Sequence, residues 1–182
     1  MTELLLSNEC PVHHLTAAMT HSIRSADLKD ADQIAAIYRP IVLDTPISFE
    51  VTPPTSPEIA TRIERTQKSH AWLVATDGSV VTGYAYGSVH RARPAYQSSV
   101  EVSAYVAADY QGQGIARSLY EVLFKQLGEL GFHQAFAGIA LPNEASIALH
   151  QSVGFTSIGV FKEVGRKFDR WHDVSWWQRA LS

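Results

Sequence analysis

The chain has 182 residues, of which 46% are hydrophobic and 18% are charged, a composition that predicts one soluble globular domain with a sizeable core. A formal net charge of −3 argues against nucleic acid as a partner, because phosphate binding needs clustered Lys and Arg. Cys10 is the single cysteine, so no intramolecular disulfide is expected and a cytoplasmic location is predicted. No apolar run approaches the roughly 20 residues that span a bilayer, so no membrane partner is expected.

The first twenty residues differ in composition from the rest of the chain. They are predicted to form a tail or an extension, with the domain at residues 21–182 and Met19 as an alternative start. His13 and His14 are neighbours with no third ligand nearby, so they are interpreted as solvent-exposed and no metal site is expected.

Two helices are predicted in the first third of the chain, after a short strand at Ile23. The first helix carries its apolar side chains at 3.6-residue spacing, on Leu28, Ala31, Ile34, Ala35 and Tyr38. The second begins with Ser56 as N-cap and Pro57 at the first helical position, where a missing N–H costs nothing. Asp77 and Gly78 separate two runs rich in β-formers and indicate a hairpin.

The second half alternates strands and helices. VEVSAYV is a strand that leads through a glycine loop into a helix, and Gly131 ends that helix. The buried stripe of the helix is predicted to comprise Leu119, Tyr120, Leu123, Leu127 and Leu130. A strand in QAFAGIAL, a helix ended by Gly154 and two long strands with a turn near Asp169 follow. The order β-α-α-β-β-β-α-β-α-β-β predicts an α/β fold with a mixed sheet and helices on both faces.

The loop before the central helix has Gly112 and Gly114 where Ser or Asp caps are usual. Glycines leave the backbone N–H groups bare at a helix start, and such donors suit an anion such as a phosphate. A merely tight strand-to-helix turn is the alternative. A P-loop is excluded because Ile115 and Ala116, not Lys and Ser/Thr, follow Gly114. The dinucleotide fingerprint is excluded because Arg117 stands where its third glycine or alanine belongs.

Two segments carry a resemblance to a known family. The pattern Q-x-x-G-x-A, Gln111 to Ala116, follows a strand ending in Val106 and resembles the pyrophosphate loop of the GNAT superfamily of N-acetyltransferases. NEASIALHQSVGF, Asn143 to Phe155, resembles the acetyl-CoA-contacting helix and Gly-Phe turn of that superfamily. The resemblance implies the GNAT fold, with a mixed, mostly antiparallel sheet, and acetyl-CoA as co-substrate.

Further segments narrow the resemblance to one subgroup. ISFE, RARPAY, EVSAYV, LPNEASIALH, GRKF and WHDVSWWQ are similar to the enzymes that acetylate phosphinothricin, methionine sulfoximine and methionine sulfone. The likeness covers Ile23 to Leu181. It implies a small amino acid as acceptor and a homodimer as the assembly. Trp171, Trp176 and Trp177 are interpreted as core or dimer-interface residues.

The resemblance also implies which residues hold acetyl-CoA: Ala104, Tyr105, Val106, Gln111, Gly112, Gln113, Gly114, Ile115, Ala116, Arg117 and Asn143. Gln111 and Gln113 stand where the family more often has a basic residue, so the diphosphate is expected to rely on backbone donors. Asn143 is expected to bond the pantetheine arm, with a helix N-cap as the alternative or the additional role. The oxyanion is expected to face a backbone N–H near Tyr105.

Glu101 lies within VEVSAYV, where period two puts Val100 and Val102 on one face and Glu101, Ser103 and Tyr105 on the other. From the residues alone, a solvent-facing edge position is the alternative to a catalytic role. The resemblance favours the role, since the subgroup places its catalytic glutamate at this position. Glu101 would act through water, as a base strengthened by its surroundings, or chiefly by placing the amine.

His150 is implied to be the second catalytic residue, as proton donor or hydrogen-bonding partner to the coenzyme thiolate. It follows Asn143 by seven residues, two helical turns, so both are expected to look out from one helix face. A packed histidine without a catalytic role is the alternative.

The acceptor site is implied to contain Arg91, Arg93 and Glu101, Val102 and Ser103 of the EVS segment, with Phe49 as an apolar wall. Guanidinium groups suit an anionic amino acid. Surface solvation is the alternative for the arginines, and core packing is the alternative for Phe49.

Direct transfer in a ternary complex is predicted, because Cys10 lies in the tail and no other thiol could carry the acyl group. Two alternatives stay open. One is a different amine acceptor, such as another amino acid, a polyamine or a protein N-terminus. The other is an acyl-CoA-binding module without activity.

Overall fold

The computed structural model describes residues 21–181, so the predictions for the tail, Cys10, His13, His14 and Met19 lie outside the described range. The strands are β1 (Ser22–Ser25), β2 (Trp72–Asp77), β3 (Val80–Val89), β4 (Ser99–Val106), β5 (Gln134–Ala140), β6 (Thr156–Lys167) and β7 (Arg170–Ala180). The helices are α1 (Ala31–Asp44), α2 (Ser56–Gln67), α3 (Ile115–Glu129) and α4 (Glu144–Ser152), with short 3₁₀ turns at Leu28–Asp30, Pro94–Tyr96 and Ala108–Tyr110. The predicted order of strands and helices is confirmed.

The starts of the first two helices differ from the prediction by a few residues. Leu28 lies in the 3₁₀ turn before α1 and is 51% exposed. Asp27 and Asp30 form a capping box at the start of this turn, so the chain enters a 3₁₀ turn there and α1 begins only at Ala31. Thr55, not Ser56, is the N-cap of α2, and its hydroxyl accepts a hydrogen bond from the N–H of Glu58. Pro57 is therefore the second helical residue.

The seven strands form one sheet in the order β1-β2-β3-β4-β5-β7-β6. All neighbours are antiparallel except β4 and β5, which confirms the mixed, mostly antiparallel sheet. The parallel pairing is short and runs from Ser99↔Gln134 to Glu101↔Phe136. Beyond Glu101 the two strands part, so β4 has an open edge over its last residues.

Helices cover both faces of the sheet, as predicted. The apolar residues of α3 and β4 form one core with the α4 side of the sheet, and α1 and α2 form a second core with Trp72, Val74 and Tyr84. Leu130 was expected in the buried stripe of α3, and this is wrong, since it is the C-cap residue and 56% exposed. Gly131 follows with a φ of 89° and ends the helix, as predicted.

The hairpin of β6 and β7 forms one end of the sheet. Trp177 is buried in the core, whereas Trp171 is 60% exposed near the hairpin turn. Several other apolar side chains of this hairpin are exposed, on Ile158, Val160, Phe161, Val164 and Phe168. Among residues 21–181, no helix combines the length and apolar character that crossing a membrane requires.

Candidate active site

The start of α3 lacks the side-chain cap that the starts of α2 and α4 have. Its N-cap residue is Gly114, with a φ of 81°, and Gly112 has a φ of 76°. A Cβ atom added to either glycine would meet no atom within 4 Å, so both face open space. The first N–H groups of α3 therefore have no side-chain partner, and a helix start in this state binds anions.

These amides border a cleft of about 820 Å³ that runs between the end of α1, the last residues of β4 and α4. All the predicted acetyl-CoA residues except Gln113 line it. The Gln113 side chain donates to the carbonyl of Asp109, 3.3 Å away. Arg117 pairs with Glu121 at 3.0 Å, so its guanidinium is already partly engaged on α3. The contacts that these residues make with the coenzyme stay a prediction.

The open edge of β4 presents backbone donors to this cleft. The N–H of Ala107 donates to the carbonyl of Thr82 on the β3 side. Because N–H direction alternates along a strand, Tyr105 also directs its N–H to β3, and Ala104 and Val106 direct theirs to the edge where β5 has parted. The expected oxyanion donor is thus Ala104 or Val106 rather than Tyr105.

Glu101 occupies the last position at which β4 pairs with β5. Val100 and Val102 are buried, while the Glu101 side chain is 34% exposed on the other face, so the predicted strand periodicity is confirmed. Oε1 of Glu101 lies 2.9 Å from Nδ1 of His90. His90 was not predicted from the sequence as a site residue. Its place just before RARPAY was the only signal, and no spacing rule links it to Glu101.

His150 is 5% exposed and faces the core, so the expectation that it looks out beside Asn143 is wrong. Its Nδ1 is 2.7 Å from the carbonyl of Ser146 and therefore carries the proton, and Nε2 accepts from the hydroxyl of Tyr120 at 3.2 Å. Burial lowers the pKa of His150, although the Ser146 carbonyl opposes this. The N–H of the imidazole is therefore already in use. Its role as proton donor stays a prediction that this geometry does not favour.

Asn143 is placed for both of the roles that the sequence left open, helix capping and contact with the coenzyme. It is the N-cap of α4, where its Oδ1 accepts from the N–H of Ser146 at 3.1 Å, and it also lines the cleft. The amide nitrogen of the same side chain remains for a ligand.

The predicted acceptor residues are not gathered in one cavity. Arg91 and Arg93 line a separate cavity of about 510 Å³ with His70 and Phe132. Val102 is buried with its side chain away from Glu101, so only its backbone can meet an acceptor, whereas Ser103 shares the face of Glu101.

Phe49 belongs to a loop that side chains hold in place. It is 40% exposed, which excludes full core burial, and its ring covers Gly165 on β6. Beside it, Ser48 bonds the hydroxyl of Tyr38 at 2.6 Å and its carbonyl accepts from the buried Nζ of Lys167, also at 2.6 Å.

Charged groups extend this support. Glu50 binds the guanidinium of Arg62 through both oxygens, at 2.7 and 3.0 Å, and this ion pair lowers the pKa of Glu50. Burial raises the pKa of Tyr38 to about 12 and lowers the pKa of Lys167. Within residues 21–181, no group of three or more His, Cys, Asp or Glu side chains is arranged to hold a metal ion.

A cleft that borders both an open strand edge and an uncapped helix start fits an extended ligand that carries a phosphate group, such as an acyl-CoA. The chain belongs to the GNAT family of acetyltransferases, since the family model described as "Acetyltransferase (GNAT) domain" matches residues 23–176. It is an acetyl-CoA N-acetyltransferase of that family, and the predicted family, fold class and enzyme class are confirmed.

The names of similar proteins agree with the predicted subgroup. A phosphinothricin N-acetyltransferase of Streptomyces coelicolor is 40% identical over 173 residues, covering 87% of this chain and 95% of the relative. An L-methionine sulfoximine/L-methionine sulfone acetyltransferase of Salmonella typhimurium is 37% identical over 161 residues, covering 88% and 94%. The crystal structure of a phosphinothricin acetyltransferase from Sinorhizobium meliloti in complex with acetyl-CoA is 37% identical, superposes with a TM-score of 0.86 and covers 90% of each chain.

Proposed function

We propose that this enzyme transfers the acetyl group of acetyl-CoA to the α-amino group of a small amino acid such as phosphinothricin, methionine sulfoximine or methionine sulfone. One observation carries the proposal: a single cleft connects the free amides at the start of α3 with the open edge of β4, whose pairing to β5 ends at Glu101. The relatives named for these acceptors support the choice of substrate. Residues 21–182 form the catalytic domain in this proposal.

The coenzyme follows the cleft. Its diphosphate binds the amides of Gln111–Ala116, with little help from side-chain charge because Gln111 and Gln113 are neutral. The pantetheine arm pairs with the open edge of Ala104–Val106 and with the amide nitrogen of Asn143. This route brings the thioester towards the point where β4 and β5 part.

Acetyl transfer then needs a neutral amine and a donor for the oxyanion. Glu101 takes a proton from the acceptor ammonium group, directly or through water, and the free amine attacks the thioester carbonyl. The N–H of Ala104 or Val106 stabilises the tetrahedral oxyanion. The C–N bond forms, the C–S bond breaks, and the proton that the attacking nitrogen loses passes through water to the leaving thiolate.

The thiolate that leaves requires a proton. His150 could supply it only if α4 released the hydrogen bond to the Ser146 carbonyl. We therefore propose that water relays to the thiolate the proton that the attacking nitrogen loses, and that His150, bonded to Tyr120 and Ser146, orders α4 beside the coenzyme. Variants of His150 separate the two roles.

On the acceptor side, the side chains of Glu101 and Ser103 face the amine, and Val102 contacts the acceptor through its backbone. Phe49 forms an apolar wall, on the loop that Ser48 and Glu50 hold in place. Arg91 and Arg93 lie on the segment that joins β3 to β4, and in this proposal they bind the acidic groups of the acceptor once that segment brings them from their separate cavity towards Glu101. A polyamine is disfavoured as acceptor, since two guanidinium groups repel a cation.

We also propose a homodimer and a cytoplasmic location. The β6 strand is an edge strand of 12 residues, and apolar side chains such as Ile158, Phe161 and Val164 are about half exposed along it. Edges of this kind are normally covered, and a second copy of the chain would cover this one. Sedimentation equilibrium of the wild type and Phe161→Glu measures the assembly. A monomeric wild type at micromolar concentration contradicts the dimer.

A panel of amines assayed by thiol release tests the acceptor. We expect turnover with phosphinothricin, methionine sulfone and methionine sulfoximine, little with spermidine, and intersecting lines when both substrates are varied. Parallel lines would indicate an acyl-enzyme and contradict direct transfer. Tight acetyl-CoA binding without turnover of any amine would instead favour the binding module.

A further inference from the structure

We propose that His90 is a positioning residue for the acetyl transfer, acting by holding the Glu101 carboxylate in one orientation. This inference rests on the proposed role of Glu101. His90 is the first residue after β3, and its Nδ1 lies 2.9 Å from Oε1 of Glu101. Because a carboxylate only accepts hydrogen bonds, Nδ1 carries the proton and His90 is the donor.

The imidazole of His90 is fixed by aromatic rings from three parts of the chain. It stacks on Phe136 with centroids 4.3 Å apart and planes 11° apart, and Phe136 is the residue of β5 that pairs with Glu101. The rings of Tyr96 and Trp176 meet it edge-on at 6.0 and 6.4 Å. The side chain of His90 is only 11% exposed. A donor enclosed in this way cannot follow a moving carboxylate, so it dictates the position of the carboxylate.

The two oxygens of Glu101 have different surroundings. Oε1 is occupied by His90, while Oε2 accepts no hydrogen bond from any side chain or backbone group of residues 21–181. The Glu101 side chain is 34% exposed and would otherwise sample several rotamers. The hydrogen bond to Oε1 therefore leaves Oε2 as the oxygen presented to the acceptor amine. It also fixes the direction in which Oε2 points from the place where β4 and β5 part.

Two substitutions separate the hydrogen bond from the ring stack. His90→Phe keeps an aromatic ring on Phe136 and removes the donor. His90→Asn removes the ring but keeps an N–H close to the place of Nδ1, because the Asn amide nitrogen branches from the same γ position. Each variant is measured with phosphinothricin and with methionine sulfone as acceptor, alongside Glu101→Gln and the double variant His90→Phe/Glu101→Gln. Melting temperatures of all four variants report on folding.

We expect His90→Phe to lower kcat at least tenfold with the KM for acetyl-CoA changed less than about twofold. His90→Asn should retain kcat within about threefold of the wild type. The double variant should be no slower than Glu101→Gln alone, since His90 acts only through the carboxylate.

Other results would overturn the inference. One such result is a wild-type kcat in His90→Phe together with a lowered kcat in Glu101→Gln. It would keep the catalytic role of Glu101 and reject the positioning role of His90. Equal losses in His90→Asn and His90→Phe, or additive losses in the double variant, assign His90 to packing. Full activity of Glu101→Gln is a separate failure, because it removes the proposed role of Glu101 itself and with it the basis for His90.

Discussion

The two ends of the proposed active site, one for the coenzyme and one for the acceptor, are built from different materials. At the coenzyme end, the start of α3 offers backbone amides, two glycines with positive φ and no capping side chain. At the acceptor end, side chains do the positioning: His90 holds Glu101, and Ser48, Glu50 and Arg62 fix the loop of Phe49. In the proposed function, the coenzyme diphosphate stays the same whatever the acceptor and is met by backbone, whereas the acceptor is met by side chains, which substitution can change.

A second comparison lies within the helices themselves. Thr55 and Asn143 cap α2 and α4 with side-chain oxygens, while Gly114 at the start of α3 caps nothing. A side-chain cap would occupy the amides that we propose for the diphosphate. The absence of a cap on α3 therefore reserves those donors for a ligand, at some cost in the stability of the unliganded protein.

Glu101→Gln is expected to have the largest effect, at the acceptor end alone. It should lower kcat on the order of 100-fold or more, because it removes the proposed general base with almost no change in shape. Calorimetry should show the Kd for acetyl-CoA within about twofold of the wild type. Glu64→Gln, on the exposed face of α2, makes the same change in charge and should leave both values unaltered. A raised Kd for acetyl-CoA in Glu101→Gln would mean that the acceptor end also contributes to coenzyme binding.

Gly112→Ala is expected to act at the coenzyme end. Its Cβ would enter the cleft at a φ of 76°, so we expect the Kd for acetyl-CoA to rise about tenfold, or ~1.4 kcal/mol. Gly78→Ala is the matched control, since Gly78 has a φ of 57° and open space around it but lies in the β2–β3 turn. Both variants should lose about 1–2 kcal/mol in unfolding free energy from left-handed strain. The same Kd in both would show that the loop does not contact the diphosphate.

Thr55→Ala and Asn143→Ala compare a cap that only stabilises with a cap that also faces the cleft. Each should lower the free energy of unfolding by about 1 kcal/mol, because each removes one N-cap oxygen. Only Asn143→Ala should weaken acetyl-CoA binding, by an expected three- to tenfold. Urea denaturation and calorimetry provide the two numbers. An unchanged Kd in Asn143→Ala would leave Asn143 with its capping role alone.

The smallest effect concerns pH. Burial lowers the pKa of His150 in the folded protein, so below about pH 6.5 the unfolded chain binds the proton first and the free energy of unfolding falls as pH falls. His150→Asn should make this fall shallower between pH 7.5 and 5.5, by at most about 1.4 kcal/mol per pH unit. The lowered pKa of His70 acts in the same direction in both proteins and cancels in the comparison.

The same variant tests the catalytic role of His150. If His150 only orders α4, kcat at pH 7.5 should stay within about threefold of the wild type. A loss of tenfold or more, with an unchanged melting temperature, would restore His150 as the proton donor.

Features that are encoded locally could be predicted from the sequence. Alternation along VEVSAYV assigned Glu101 to its face, the Asp77-Gly78 turn fixed a hairpin, and the glycine spacing marked the start of α3. Each of these depends on residues within one or two turns of backbone.

Features that depend on distant partners could not be predicted. His90 meets Glu101 only because β3 and β4 pair, and its ring is held by Phe136 from β5. His150 faces inward because Tyr120, 30 residues away, offers it a hydroxyl. Helix periodicity predicts which residues share a face of a helix. It does not predict whether that face packs against the sheet or points towards solvent.

The hydrogen bond from the buried ammonium of Lys167 to the carbonyl of Ser48 spans 119 positions of sequence and bridges the β6–β7 hairpin and the loop of Phe49. Because of this hydrogen bond, a substitution that moves either segment, made to change the range of acceptors, will also shift the other segment. Libraries that vary both segments together, with Lys167 kept, should therefore yield more altered specificities than libraries that vary one.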